Sequence, residues 1–288
     1  DRAMYKLLAV DMDGTLLDRK KSVTLPVKEA IGKLVAKQIF VTIASGRFPA
    51  SVWLHGKYLG MNFPLIALNG AVIVDPVTGA EQETRRLDRE SCVKLADYIE
   101  EKNAYVQFYG YNVLYVEEIN DLNRNWPLAN VVVDPDKELT EENYRGQVYM
   151  IRLLPVGRLS RFARNNEEPV YKATVIHDDP GVVDELYAEV SRWKEFSVSR
   201  TGRRRFDVNV AGVNKQSALQ FLCEKYRIPR EQVVTIGDYD NDVEMLAWAG
   251  LGIAMGNGNE RSKQVAKAVT LSNEEHGVAA AIREHFKI

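Results

Sequence analysis

Cysteine is scarce: only Cys92 and Cys223 occur among 288 residues. They lie far apart, each inside a helix-like pattern, so no disulfide framework is expected, and a reducing, cytoplasmic setting is. No hydrophobic run approaches the ~18 consecutive apolar residues of a membrane span, and LLAV near the start is cut by Asp11, so neither a span nor a secretory leader is expected. Charge of neither sign is in excess, since 38 Lys and Arg stand against 40 Asp and Glu for a net charge of −2. Without a basic block the chain has no electrostatic footprint for nucleic acid and no polybasic membrane anchor, which leaves small solutes as expected partners. The four histidines, His55, His177, His276 and His285, are not spaced as a metal pair and are expected in exposed or capping roles. Internal repeats, low-complexity stretches and flexible Pro/Gly/Ser tethers are absent as well.

What is present is a globular composition, 45% hydrophobic and 27% charged, in a chain longer than the roughly 100 to 150 residues of a typical domain, so two domains or one large insertion are expected. Asp1, Arg2 and Ala3 precede Met4 and read as an addition ahead of the native start. The apolar run at 6–10 is followed by PVKEAIGKLVAKQ, where Val27, Ile31, Leu34 and Val35 recur at helical spacing, and then by β-rich IFVTIAS: a βαβ unit. A helix at 49–60 and the strand PLIALNG continue the rhythm and predict a parallel sheet. From about residue 84 the texture changes to a helix (RESCVKLADYIEEKN), alternating aromatic strands (YVQFYG, NVLYV), further strands in QVYMIRLL and VYKATVIH, and a hairpin around RTGRR. The alternation predicts a half-buried antiparallel sheet. Beyond residue 211 the α/β rhythm resumes with KQSALQFLCEKY, VVTIGD and LGIAMG. The four tryptophans, Trp53, Trp126, Trp193 and Trp248, sit in patterned segments and are expected in the core.

In an open parallel sheet, ligands bind at the carboxyl ends of the strands. The polar residues at those ends are Asp11 and Asp13; Ser45, Gly46 and Arg47; Asn69 and Gly70; and Gly237, Asp238, Asn241 and Asp242. A single Asp beside Gly is more often a turn former or cap. Carboxylates converging from several strand ends would repel one another unless a cation sat among them, so Asp11, Asp13 and Asp238 together point to Mg²⁺. Calcium loops of the EF-hand kind are excluded: counting from Asp11, position six is Leu16 and position twelve Ser22; from Asp238 they are Val243 and Ala249. Gly14 frees the backbone to turn, and Thr15 is placed to cap the following segment. The triplet Arg203, Arg204, Arg205 reads first as a solvated hairpin tip.

The motifs VDMDGTL, IASGR, NKQSAL and GDYDND, in that order, resemble those of the haloacid dehalogenase superfamily of phosphatases. The insertion, with LNGA and AMGN, resembles the Cof-type subgroup with a large α+β cap of the C2B type. Gln216 departs from the subgroup, where Gly usually follows the motif lysine. The resemblance implies an α/β fold with a Rossmann-like parallel-sheet core (1–83 and 212–288) and an inserted α+β cap (84–211) that governs specificity. It implies Mg²⁺-dependent hydrolysis of phosphomonoesters of small metabolites, sugar phosphates among them, through an aspartyl phosphate. Asp11 would be the nucleophile, Asp13 the acid/base, and Ser45 and Lys215 the other catalytic groups. Gly14, Gly46, Arg47, Asn69 and Asn241 would contact phosphate or substrate. Mg²⁺ would be held by Asp11, Asp238, the Asp13 carbonyl and, through water or by orienting a ligand, Asp242. Competing readings are a phosphohexomutase, which returns the phosphoryl group to a bound sugar, and a phospho-accepting signalling receiver, which carries neither an inserted cap nor an acid two residues after its aspartate. A monomer or homodimer is expected.

Overall fold

The computed structural model describes residues 4–288; Asp1–Ala3, read above as an addition, lie outside the described residues. The chain opens with β1 (Leu7–Val10), α1 (Leu25–Ala36), β2 (Phe40–Ile43), α2 (Pro49–Tyr58) and β3 (Leu65–Ala67), then β4 (Val72–Val74) and β5 (Glu81–Thr84). The cap follows with α3 (Arg89–Glu101), β6 (Tyr105–Gly110), β7 (Val113–Val116), α4 (Arg145–Val148), β8 (Arg152–Pro155), α5 (Leu159–Asn165), β9 (Lys172–Ile176), α6 (Pro180–Ser191), β10 (Phe196–Gly202) and β11 (Arg205–Val210). The last stretch is α7 (Lys215–Lys225), β12 (Val233–Gly237), α8 (Val243–Trp248), β13 (Leu251–Ala254), α9 (Glu260–Val265), β14 (Ala268–Val269) and α10 (Gly277–Phe286).

Five strands form a parallel sheet in the order β14-β13-β12-β1-β2. β1 is flanked by β12 and β2, both parallel to it and both in contact over its full length. The chain leaves β1 in one direction and returns on its other side, which places the end of β1 at the switch point where α/β sheets bind ligands. Leu8, Val10, Val41, Ile43 and Ile236 are wholly buried, as expected for strands covered on both faces by helices. The third strand departs from the sequence expectation. β3 joins the parallel sheet through a single bridge, Ala44 to Ile66, and turns its pairing to β4 in an antiparallel ribbon with β5. Leu68, Asn69 and Gly70, at positive φ of 49°, 62° and 109° between β3 and β4, make that reversal.

The cap sheet runs β10-β11-β9-β6-β7-β8 and is antiparallel except between β7 and β8. QVYMIRLL divides differently from its reading as one strand, since Arg145–Val148 is helical and only Arg152–Pro155 is extended. The larger correction concerns the sheet's second face. One face carries Val106, Phe108, Ala173, Val175, Phe206 and Val208, packed with the cap helices. The alternate positions, Gln107, Tyr109, Lys172, Thr174, Asp207 and Asn209, are polar and nonetheless buried. The sheet is therefore covered on both faces, because its polar face lies over the carboxyl end of the parallel sheet, where Lys172 reaches Gly46 and Asp207 reaches Asn69. The tryptophans edge the cores rather than fill them: each is half-buried and packs against one cluster.

Phe108 is wholly buried under the cap helices, so Phe108→Ala should destabilise the protein by about 3 to 5 kcal/mol. Urea unfolding measures this, and an unchanged midpoint would show that the cap core does not depend on it.

Candidate active site

Asp11 follows the last residue of β1, and its amide donates to the Ile236 carbonyl of β12 at 3.0 Å, so the neighbouring strand fixes its position. The next residues, Met12–Leu16, form a wide turn closed by Leu16 N–H to Asp11 O and Leu17 N–H to Met12 O. Gly14 sits in it at φ +77°, and any side chain there would run into the Asp238 carboxylate. Glycine is needed for both conformation and space. Thr15 does not cap the segment as expected; its hydroxyl donates to Asp238 Oδ1 at 3.2 Å, tying the first motif to the fourth.

Lys215 is the first residue of α7, whose start is closed by reciprocal bonds between Asn214 and Ser217. Its ammonium is 1% exposed and donates to Asp11 Oδ1 at 2.9 Å and to Asp242 Oδ1 at 2.7 Å. Burial works against that charge, but Asp11 and Asp242 outweigh it and hold the ammonium well above its ordinary range. The other Asp242 oxygen accepts the Asp238 amide at 2.8 Å. Carboxylate oxygens of Asp11, Asp238 and Asp242 lie within 4.8 Å of one another. Burial pushes Asp11 up to about 7, with the Asp238 charge adding to the rise and Lys215 opposing it. Burial likewise raises Asp238 to about 6 and, with the charge of Asp11, Asp242 to about 7. Three carboxylates facing one ammonium leave an excess of negative charge. An all-oxygen donor set of this kind suits a hard divalent cation, so the residues fit a metal ion, with Asp11 and Asp238 the freest donors because both Asp242 oxygens are already engaged.

Asp13 belongs to a separate pair. Arg47 grips its carboxylate with two bonds, Nε to Oδ2 at 3.0 Å and Nη2 to Oδ1 at 2.8 Å, and Lys21 Nζ adds a third at 2.9 Å. Although the Asp13 side chain is nearly half exposed, the two cations beside it hold the carboxyl well below the usual range. The Asp13 side chain is thus outside the carboxylate cluster, and only its carbonyl is left for the metal role expected from sequence. Arg47, expected to meet phosphate, holds Asp13 and also lines the cavity above these groups. Ser45 is buried, with its Oγ accepting the Arg47 amide at 3.0 Å.

A cavity of about 440 Å³ opens over these groups, lined by Asp11, Asp13, Gly14, Ser45, Gly46, Arg47, Asp238 and Asn241. Asn69 lines a smaller neighbouring cavity with Lys215 and Asn241, and its Nδ2 donates to Asp207 Oδ2 at 2.8 Å and to Asn209 Oδ1 at 3.2 Å, both from the cap. The cap closes the cavity with Tyr109, Trp126, Asn130, Lys172, Thr201 and Arg205. Sequence reasoning passed over Asn130, Lys172 and Thr201; it read Arg205 as part of a solvated hairpin tip, Tyr109 as part of a half-buried aromatic sheet and Trp126 as core. The available signal was the polar alternation in YVQFY, YKAT and RFDVN, which a solvated sheet face would also give. His55 corrects the expectation for histidines. It is wholly buried on α2, its Nδ1 is 2.7 Å from the Ser51 carbonyl, and burial with the Arg47 charge brings it down to about 4.

A model of haloacid dehalogenase-like hydrolases matches residues 8–282, and the chain belongs to that family. The phosphatase YwpJ of Bacillus subtilis (strain 168) is 29% identical to it over 290 residues, covering 95% of this chain and 97% of that protein. The 5-amino-6-(5-phospho-D-ribitylamino)uracil phosphatase YwtE of the same organism is 29% identical over 278 residues, or 95% of this chain and 96% of that one. A solved haloacid dehalogenase-like hydrolase from B. subtilis superposes with a TM-score of 0.83 at 26% identity, over 96% of this chain and 99% of that structure. The protein is a phosphatase of the Cof-type branch, an α/β hydrolase with an inserted α+β cap.

The raised carboxylates predict a pH-dependent response to metal. A carboxyl with a folded pKa above its unfolded value of 3.8 favours the folded state at low pH, and that contribution is lost as pH rises through the folded value. Asp11 and Asp242, at about 7, should therefore lower the melting temperature of chelator-treated protein between pH 6.5 and 8. His55 acts in the opposite sense, but only below its unfolded value of 6.5. Mg²⁺ should raise the melting temperature more at pH 8 than at pH 6, and Asp238→Asn should shrink the difference. Equal shifts at both pH values would contradict metal binding by this cluster.

Proposed function

We propose that the protein hydrolyses phosphomonoesters of small metabolites with Mg²⁺ and a phosphorylated Asp11, residues 84–211 serving as cap and 1–83 with 212–288 as core. The observation that carries the reading is the Lys215-held carboxylate of Asp11 at the end of β1, facing a cavity with a second carboxylate, Asp13, two residues away. In this reading Asp11 attacks phosphorus, forming an acyl phosphate and releasing the alcohol. Lys215 opposes the rise at Asp11 and offsets the charge of the incoming phosphate, and the Ser45 hydroxyl donates to a phosphoryl oxygen. Mg²⁺, bound by Asp11 and Asp238, would supply two further positive charges where anion meets anion.

Asp13 has two tasks. Paired with Arg47 and Lys21, it is held in the ionised form that takes a proton from the water attacking the acyl phosphate. Protonating a poor leaving group in the first step requires the other form, so the carboxyl must then leave Arg47. Substrates of sugar or polyol type suit the cavity. Phe48, Tyr109 and Trp126 offer an apolar wall, Asn130 and Thr201 carry buried oxygens without partners among the described residues, and YwtE is named for a ribityl phosphate ester.

Phosphate release from hexose phosphates and p-nitrophenyl phosphate should vanish in EDTA and return with Mg²⁺; full activity in chelator would remove the metal from the mechanism. Asp13→Ala should slow hydrolysis of the intermediate by about 10²- to 10⁴-fold. With p-nitrophenyl phosphate, whose leaving group needs little protonation, phosphoenzyme should then accumulate, whereas an alkyl sugar phosphate should yield little. Mass spectrometry after acid quench, with Asp11→Asn as blank, reads both, and label surviving Asp11→Asn would refute the nucleophile.

A further inference from the structure

Lys172 lies on β9 in the cap, 4% exposed, and its Nζ reaches across to the core. It donates to the Gly46 carbonyl at 2.7 Å and to Asp207 Oδ2 of β11 at 3.2 Å, and it lies 4.0 Å from the centre of the Tyr109 ring. An ammonium has three N–H groups. Two are engaged with the protein and the Tyr109 ring lies against the nitrogen, so at most one N–H of Lys172 is left toward the cavity it lines. Asp207 is held in turn by Thr174 Oγ1 at 2.8 Å and by Asn69 Nδ2. The packing is tight at Gly46, where an added Cβ would lie 2.9 Å from Asn69 Oδ1 and 3.4 Å from Asp207 Oδ2.

The carbonyl that Lys172 holds lies between two working residues. Ser45 precedes Gly46, and Arg47, which grips Asp13, follows it. The cap reaches the same loop from its other side as well. Arg47 Nη1 donates to Ser51 Oγ at 3.3 Å, and Ser51 Oγ donates to the Asn130 carbonyl of the cap at 2.7 Å. A buried ion pair contributes little net stability, since desolvation offsets its attraction, so conformational specificity is the better account of this one.

We propose that Lys172, seated on Asp207, is a positioning residue that fixes the Ser45–Gly46–Arg47 loop, so that the cap contributes to phosphoryl transfer whatever the leaving group. The inference rests on the phosphatase reading above and differs from a purely selective cap in its consequence: loss of the contact harms small and large substrates alike.

The test compares Lys172→Met, Asp207→Asn and the double variant with wild type on p-nitrophenyl phosphate and glucose 6-phosphate, alongside hydrogen exchange of a peptide covering residues 44–48. Lys172→Met should lower kcat on both substrates by a similar factor, about 10- to 100-fold for a loop displaced by the order of 1 Å, with KM little changed. The double variant should be no slower than Lys172→Met, and exchange at 44–48 should accelerate. An unchanged kcat, or a rise in KM confined to glucose 6-phosphate, would overturn the assignment and make Lys172 a bystander or a substrate ligand. Should wild type hydrolyse neither ester, the phosphatase reading fails by itself; exchange then decides the positioning claim, and equal rates in variant and wild type overturn it. If Lys172→Met does not fold, Thr174→Val, which removes one donor to Asp207, carries the same comparison with a smaller expected loss.

Discussion

The site depends on one buried ammonium. Lys215 stands between Asp11 and Asp242 with its charge almost wholly removed from water, and without it three carboxylates would face one another at the end of the central strands. Its position is set by backbone: α7 begins at that residue, and the Asn214–Ser217 closure fixes where the helix starts. Asp242 completes the arrangement by bonding the lysine with one oxygen and the Asp238 amide with the other. That single side chain relates the third motif to the fourth, and Thr15 relates the fourth to the first.

A second electrostatic unit lies beside it. Arg47 and Lys21 neutralise Asp13, so the two aspartates of DMDG, separated by one residue, experience opposite conditions. Burial and a neighbouring carboxylate raise Asp11 while two cations depress Asp13. Where two carboxyls divide nucleophilic from proton-transfer work, the raised one usually serves as acid and the ionised one as nucleophile; here the order is reversed, so the proposed roles require positive charge beside Asp11 to ionise it and require Asp13 to part from Arg47 before it can donate a proton.

The cap meets both units through a polar sheet face. Gln107, Thr174 and Asp207 stand in register across β6, β9 and β11, and their bonds to one another, to Tyr109 and to Asn69 satisfy groups that burial would otherwise penalise. Read along the chain, each strand is an ordinary alternation of apolar and polar residues. The same pattern describes a sheet with one face in water, and for that reason the residues of this face escaped the sequence reading, as did the buried state of His55.

The sequence by itself determined the local features: the βαβ rhythm, its interruption and resumption, the glycine at position 14 and the polar residues at the strand ends. These are legible because periodicity, turn chemistry and the strand-end rule operate over a few residues. Tertiary structure alone decided the partners. Arg47 is joined to Asp13, Asn69 is joined to the cap, and β3, which could have extended the parallel sheet, turns away after one bridge. Each choice joins residues far apart in sequence, and a charged or amide side chain has the same chemistry with any of its partners. Only the fold, by fixing which donors and acceptors are within 3 Å or so of one another, selects among them.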